Sequence, residues 1–210
     1  LAESWKKNDL EKIDDMYVRS SVSQYAVGLL IFIGLMVNID NIFRLLPDIY
    51  SRSAAVIVLI SFGNLVSCSA GVNGVVLSTS SLYRYQTWLM FILIGLFVGT
   101  SMIFIPLFGI TGAALASMIS NIIYSMLGVV LTGKRFGLWP YSMVHLKMTL
   151  VSIAALAAGY LMPQISLIPD IILRSLIVTV IFTSGVWFWK LSDDLNGIAE
   201  SIIERFRRKC

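Results

Sequence analysis

The chain has 210 residues, 57% of them apolar or aromatic and only 13% charged, with a mean hydropathy of +0.83 and a formal net charge of +4. Soluble domains carry about 25% charged residues and about half apolar ones, so this composition excludes an ordinary soluble domain. Five apolar blocks of roughly 20 residues and a sixth slightly shorter fit a hydrocarbon core about 30 Å thick, and the short remainder excludes a separate extramembrane catalytic or nucleic-acid-binding domain.

The chain opens Leu1-Ala2-Glu3 without an initiator Met, and its first residues lack the basic start, apolar stretch and cleavage site of a signal peptide. It therefore reads as a fragment of a longer protein. Residues 1–20 are expected to form an amphipathic arm along the inner interface, with Asn8 as N-cap, Glu11 three residues on, and Leu10, Ile13 and Tyr17 on one side. The first span runs from Ser21 to Leu46 and stops at Pro47. Its end carries Asn38, Asp40, Asn41 and Arg44, and Asp40 and Arg44 are four apart, a spacing that allows pairing along a helix. Ionisable groups in a membrane are expensive, which makes Asp40, Asn41 and Arg44 candidates for a substrate or ion path. Arg44, close to the outer interface, also fits a structural role with its side chain snorkelling outward. Asp40 lies deeper and is the candidate for proton or cation coupling.

The second span, Ser53 to Ser80, places Ser61, Asn64, Ser67, Gly71, Gly74 and Ser78 on one helical face, with Phe62, Leu65, Val66 and Val76 opposite. A tight turn, Leu82-Tyr83-Arg84-Tyr85-Gln86, follows, in which Arg84 serves either as an interfacial anchor or as a phosphate contact. The third span runs from Thr87 to Pro106, with Gly95 and Gly99 spaced for close helix packing. In the fourth, Gly112 to Thr132, a polar stripe recurs through Ser117, Ser120, Asn121, Tyr124 and Gly128. Two readings of these stripes stand. Small and hydroxyl residues let helices approach and bond across their contact, or Asn64, Asn121 and Tyr124 line a hydrated central cavity.

After a polar connection with Lys134, Arg135 and Lys147, the fifth span covers Val144 to Met162 and the sixth Ile171 to Leu191. His145, the one histidine, is expected at the interface of a span entrance. Residues 192–210 form a basic cytoplasmic tail in which Leu195 to Phe206 repeat the amphipathic pattern and Arg205 to Lys209 face anionic headgroups.

With six spans, the arm, the second and fourth connections and the tail pool on one side. That pool holds Lys6, Lys7, Lys12, Arg19, Arg84, Lys134, Arg135, Lys147, Lys190, Arg205, Arg207, Arg208 and Lys209, against Arg44, Arg52 and Arg174 on the other. Cations in short loops resist translocation, so both ends of the chain are expected in the cytoplasm. Enzyme signals are weak. Cys68 and Cys210 are too far apart in depth to pair, no metal-ligand spacing exists, and neither a glycine-rich phosphate loop nor Gly-x-Ser-x-Gly occurs. The expectation is a protein without cofactor, metal or catalytic set.

The most specific stretch is Ile105-Pro106-Leu107-Phe108-Gly109-Ile110-Thr111-Gly112-Ala113-Ala114-Leu115-Ala116-Ser117. Pro106 is expected to end one helix, Gly109 to make a tight outer turn, and Gly112 to Ala116 to open a closely packing helix. This segment resembles the LIP-x-x-G-x-x-G-A-A-x-A-(S/T) signature of the polysaccharide and lipid-linked oligosaccharide (O-antigen) flippases, a branch of the multidrug/oligosaccharidyl-lipid/polysaccharide exporter superfamily. Ala2 to Asp9 is similar to that family's polar arm before a late span. Gly74-Val75-Val76-Leu77 with Ser80 to Tyr85 occupies the place of its G-x-x-L and basic turn, without the usual Gly-Lys.

The resemblance covers the chain through about Leu131 and is diffuse beyond. It implies an all-α integral membrane protein whose six-helix transmembrane bundle, residues 21–191, is the C-terminal lobe of a two-lobed transporter in the cytoplasmic membrane. Its implied substrate is an undecaprenyl-diphosphate-linked sugar repeat, flipped for cell-surface polysaccharide synthesis. The missing N-terminal half and membrane lipids are its implied partners, and the charged headgroup would sit in a cationic cavity. In this half Arg44 and Arg84 are the cations for a diphosphate. A drug or cation antiporter of the same superfamily, a non-catalytic membrane scaffold and a polysaccharide-assembly membrane enzyme are the alternatives. The last needs a sizeable outer loop, and the outer connections here are about 4–10 residues long.

Overall fold

A computed structural model describes residues 1–7, 9–47, 54–163 and 166–189. Among them the chain is all-helical: α1 (Ala2–Lys6), α2 (Leu10–Val37), α3 (Ile39–Leu45), α4 (Ala54–Ser69), α5 (Asn73–Thr79), α6 (Tyr83–Phe108), α7 (Ile110–Phe136), α8 (Met143–Tyr160) and α9 (Leu167–Phe188). Five of these, α2 and α6 to α9, are long and apolar enough to cross a membrane. The bent pair α4 and α5 makes a sixth if it counts as one span. This is the helix set of a multi-pass membrane bundle.

Cross-contacts fix the helix directions. Gly28 of α2 meets Cys68 of α4 while Ser21 meets Gly71, so the two helices run antiparallel. Tyr25 and Tyr160 tie α2 and α8 in parallel, through Thr149 and the Met36 carbonyl. Gly63 lies against Met118 and Ser67 bonds Ser125, which makes α4 and α7 parallel neighbours. The helices therefore follow one another in space as α6, α7, α4, α2 and then α8 with α9. The core sits at the α2 end of this row, where Val22, Leu29, Ile33, Met148, Ala155, Val178 and Phe182 interlock. In a bilayer the lipid is as apolar as these side chains, so close packing rather than burial from water holds the helices together.

Several boundaries depart from the pattern-based expectation for physical reasons. The arm and the first span are one helix: α2 is 28 residues long, about 42 Å at 1.5 Å per residue, so it outreaches a hydrocarbon core by some two turns. Its N-cap is Asp9, whose Oδ1 accepts from the Lys12 N–H at 3.1 Å, while Asn8 lies outside the described residues. Ile13 and Tyr17 dock on Val76 and Leu138 rather than on lipid. The first span breaks at Asn38, whose Nδ2 donates to the Gly34 carbonyl and to Ser175 Oγ. The second span bends by 48° at residues 70–72, where Gly71 has φ +58°. Pro106 does not end α6, which continues to Phe108; the Gly109 N–H still donates to the Ile105 carbonyl at 2.8 Å and Gly109, at φ +58°, makes the turn. Gly112 then lies directly against the Phe104 carbonyl, and Ala114 and Ala116 are buried, as the small residues of that segment lead one to expect. Gly95 and Gly99 pack against nothing: they lie on the outward face of α6, with no neighbour within 4 Å. The amphipathic tail, residues 192–210, lies outside the described residues, as do Arg52 and Lys190.

Candidate functional site

The bend between α4 and α5 opens a cavity of about 530 Å³ toward α6 and α7. Its geometry follows from the interruption itself. The left-handed Gly71 swings α5 out of line with α4 and sets Asn73 against the Ser125 carbonyl of α7. Gly71 is held in place because a Cβ there would come within 2.7 Å of the Ser21 Cα. Ser21 Oγ in turn donates to the Ser69 carbonyl at 2.6 Å, capping the broken end of α4.

His145 completes this anchor. Its Nδ1 accepts from the Ser142 backbone N–H at 3.3 Å, and its Nε2 lies 2.9 Å from Ser21 Oγ. The Ser21 hydroxyl hydrogen is spent on the Ser69 carbonyl, so Nε2 must be the donor to Ser21. These contacts assign the neutral imidazole with its proton on Nε2. His145 is thus a buried structural residue in the first turn of α8, at the span entrance where its position beside Lys147 leads one to expect it.

The cavity wall is uncharged, with polar groups set into a mostly apolar surface. Ser67, Asn73, Ser78, Gln86, Asn121, Tyr124 and Ser125 line it alongside Val72, Val75 and Met90, and no described lining residue carries a charge. Gln86 is 6% exposed; its Nε2 donates to Tyr124 Oη at 2.8 Å, which leaves the Tyr124 hydrogen available to a ligand. Gln86 Oε1 is buried and has no hydrogen-bond partner. Asn73 Nδ2 reaches the Ser125 carbonyl at 3.4 Å. Asn121 has no protein partner among the described residues. A buried amide oxygen without a donor costs about 1–3 kcal/mol, and this one is closed off from the open space of the cavity. Among its described lining residues there is no Asp, Glu, His, Cys, Lys or Arg.

The residues singled out from the sequence fall in three places. Asn121 and Tyr124 line the cavity together. Asn64 is exposed on α4 and outside the cavity wall, whereas Ser67, one turn nearer the bend, lines it. Arg84 is exposed at the start of α6, with its Nε on Tyr83 Oη at 3.2 Å and its guanidinium over the Tyr83 ring. Asp40 and Arg44 lie exposed on α3, at the opposite end of the bundle from Arg84. Asn41 is buried there, and its Nδ2 donates to Asp170 Oδ2 at 2.6 Å.

That last contact belongs to a network the sequence pattern did not reveal. Asp170 pairs with Arg174 at 2.8 Å, and the guanidinium also donates to the carbonyls of Gly159 and Met162, each at 2.9 Å. Gln86 was likewise missed, because it reads as a turn residue next to Arg84. Its signal was a lone amide one turn inside an apolar block.

Comparison with family models, with curated proteins and with solved structures found no match.

Proposed function

We propose that this chain forms one lobe of a membrane transporter that flips undecaprenyl-diphosphate-linked oligosaccharides, and that the cavity at the α4–α5 bend is part of the wall of its substrate path. The observation that carries the reading is a set of uncharged hydrogen-bonding groups inside an apolar bundle: Gln86, Asn121 and Tyr124 line one opening, with the Asn121 amide and the Tyr124 hydrogen without protein partners among the described residues. Amides and hydroxyls of this kind suit the hydroxyl groups of a sugar. The described lining residues include no carboxylate, so a cation there would meet only neutral oxygens, whereas the hydroxyls of a sugar would find both donors and acceptors. The diphosphate is met elsewhere on this reading, by Arg84, Arg44 or the other lobe.

Sidedness follows from the same proposal. Lys6, Lys7, Lys12, Arg19, Arg84, Lys134, Arg135 and Lys147 lie toward the end of the bundle where α2 begins, and Arg44 and Arg174 toward the other. The cation-rich end is cytoplasmic by the positive-inside rule. The resemblance of residues 105–117 to the oligosaccharide flippases supplies the substrate class.

The test is leaflet-to-leaflet movement of a fluorescent lipid-linked oligosaccharide in vesicles containing the full-length protein. Gln86→Leu and Tyr124→Phe should each slow movement by about tenfold, the loss of one hydrogen bond to substrate. Wild-type vesicles that move the lipid no faster than protein-free ones would overturn the proposal.

A further inference from the structure

A second concavity lies on the outer side of the α6–α7 pair, turned away from the polar cavity. It measures about 320 Å³ and runs along the helices, and its polarity changes along its length. Leu89, Ile92, Leu127 and Val130 line its apolar stretch, and Lys134 and Arg135 line its end together with Tyr85 and Trp88. From Leu127 to Lys134 is seven residues, about 10 Å along a helix. An apolar trough therefore ends in two cations and two amphipathic aromatic rings.

The cations are the telling feature. Lys134 and Arg135 are exposed, and neither has an ion-pair or hydrogen-bond partner among the described residues. Their position in the last turn of α7 suits the helix dipole, but that does not account for the apolar trough beneath them. Trp88, 68% exposed, sits where an indole favours the level of the headgroups. A single molecule matches the whole gradient: a phosphate with an acyl chain directly below it.

We propose that this groove is a binding site for an anionic phospholipid, with the headgroup phosphate on Lys134 and Arg135 and one acyl chain against Leu127 and Val130. Charge complementarity selects the anionic lipid over the zwitterionic ones around it. A basic residue at a membrane surface contributes about 1 kcal/mol toward an anionic lipid, which is about fivefold in affinity.

The experiment uses native mass spectrometry of the full-length protein, titrated with dioleoylphosphatidylglycerol and, in parallel, dioleoylphosphatidylcholine. Wild type should retain the glycerol lipid well above the choline lipid, and Lys134→Gln with Arg135→Gln should reduce that preference by about 25-fold. Lys6→Gln with Lys7→Gln, at the same end of the bundle, should leave it unchanged. Inorganic phosphate at equal concentration should not displace the lipid, since the chain contributes binding. Should the double glutamine variant fold poorly, Val130→Trp fills the trough with both cations kept and should weaken retention of the lipid. Equal retention of the two lipids by wild type, full preference in the Lys134→Gln with Arg135→Gln variant, undiminished retention by Val130→Trp, or loss of preference in the Lys6→Gln with Lys7→Gln control would overturn the assignment.

Discussion

Asp170 and Arg174 stand one turn apart on α9 and form an ion pair at 2.8 Å with side chains only 1% and 7% exposed. The pair is closed on all sides. Asn41 of α3 donates to the carboxylate, and the Gly159 and Met162 carbonyls at the end of α8 accept from the guanidinium. Three helix ends are thus tied to one charged pair, and the carbonyls it caps are among those a helix C-terminus leaves unsatisfied.

Removing one partner strands a buried charge, so Asp170→Asn or Arg174→Met should each destabilise the protein by about 3–5 kcal/mol. The double replacement Asp170→Leu with Arg174→Met should cost less than either single change. Thermal unfolding in detergent measures all three. A double variant less stable than both singles contradicts the view that the uncompensated charge is the main cost.

The hydrogen-bond relay from His145 through Ser21 to the Ser69 carbonyl predicts a different loss. Ser21→Ala deprives the His145 Nε2–H of its acceptor and the Ser69 carbonyl of its donor, and should destabilise by about 1–3 kcal/mol. His145→Phe with Ser21→Ala removes donor and acceptor together and should recover part of that. The same unfolding assay checks it, and additive losses would argue against the relay.

Gly71 faces two constraints at once. A Cβ at φ +58° costs about 1–2 kcal/mol, and placing it 2.7 Å from the Ser21 Cα adds about 1–3 kcal/mol of overpacking. Gly71→Ala should therefore be strongly destabilising, whereas Gly99→Ala, with open space around it, should be neutral or slightly favourable. Comparable losses at both positions would show that the bend is not fixed by contact with α2.

The helical spans were legible in the sequence because a bilayer demands a long apolar run, and each run is visible as a block. Breaks within a run were not. Gly71 looks like any other small residue of its stripe until α2 is packed against it. Asn38, at the break of the first span, bonds the Gly34 carbonyl of its own helix and the hydroxyl of Ser175 on α9, more than a hundred positions away. The site was half legible. Asn121 and Tyr124 share a face of one straight helix, and the period of that helix places them together. Asn64 lies one turn before Ser67 on the same helix, yet the cavity is confined to the end of α4 next to the bend, which the period of a straight helix does not reveal. Asp170 and Arg174 carried a readable signal, opposite charges four apart within an apolar stretch, but charge counting across connections assigned Arg174 to a loop.

The central claim is that the cavity at the α4–α5 bend is a hydrated path and not dry packing. Its most direct test places single cysteines, in a background with Cys68→Ser and Cys210→Ser, at Asn121 and Ser78 in the cavity and at Met102 on the outward face of α6. In intact membranes a small water-soluble thiol reagent should modify the first two and spare Met102→Cys. Protection of both cavity positions to the level of Met102→Cys would contradict the claim and leave the polar wall as a packing surface.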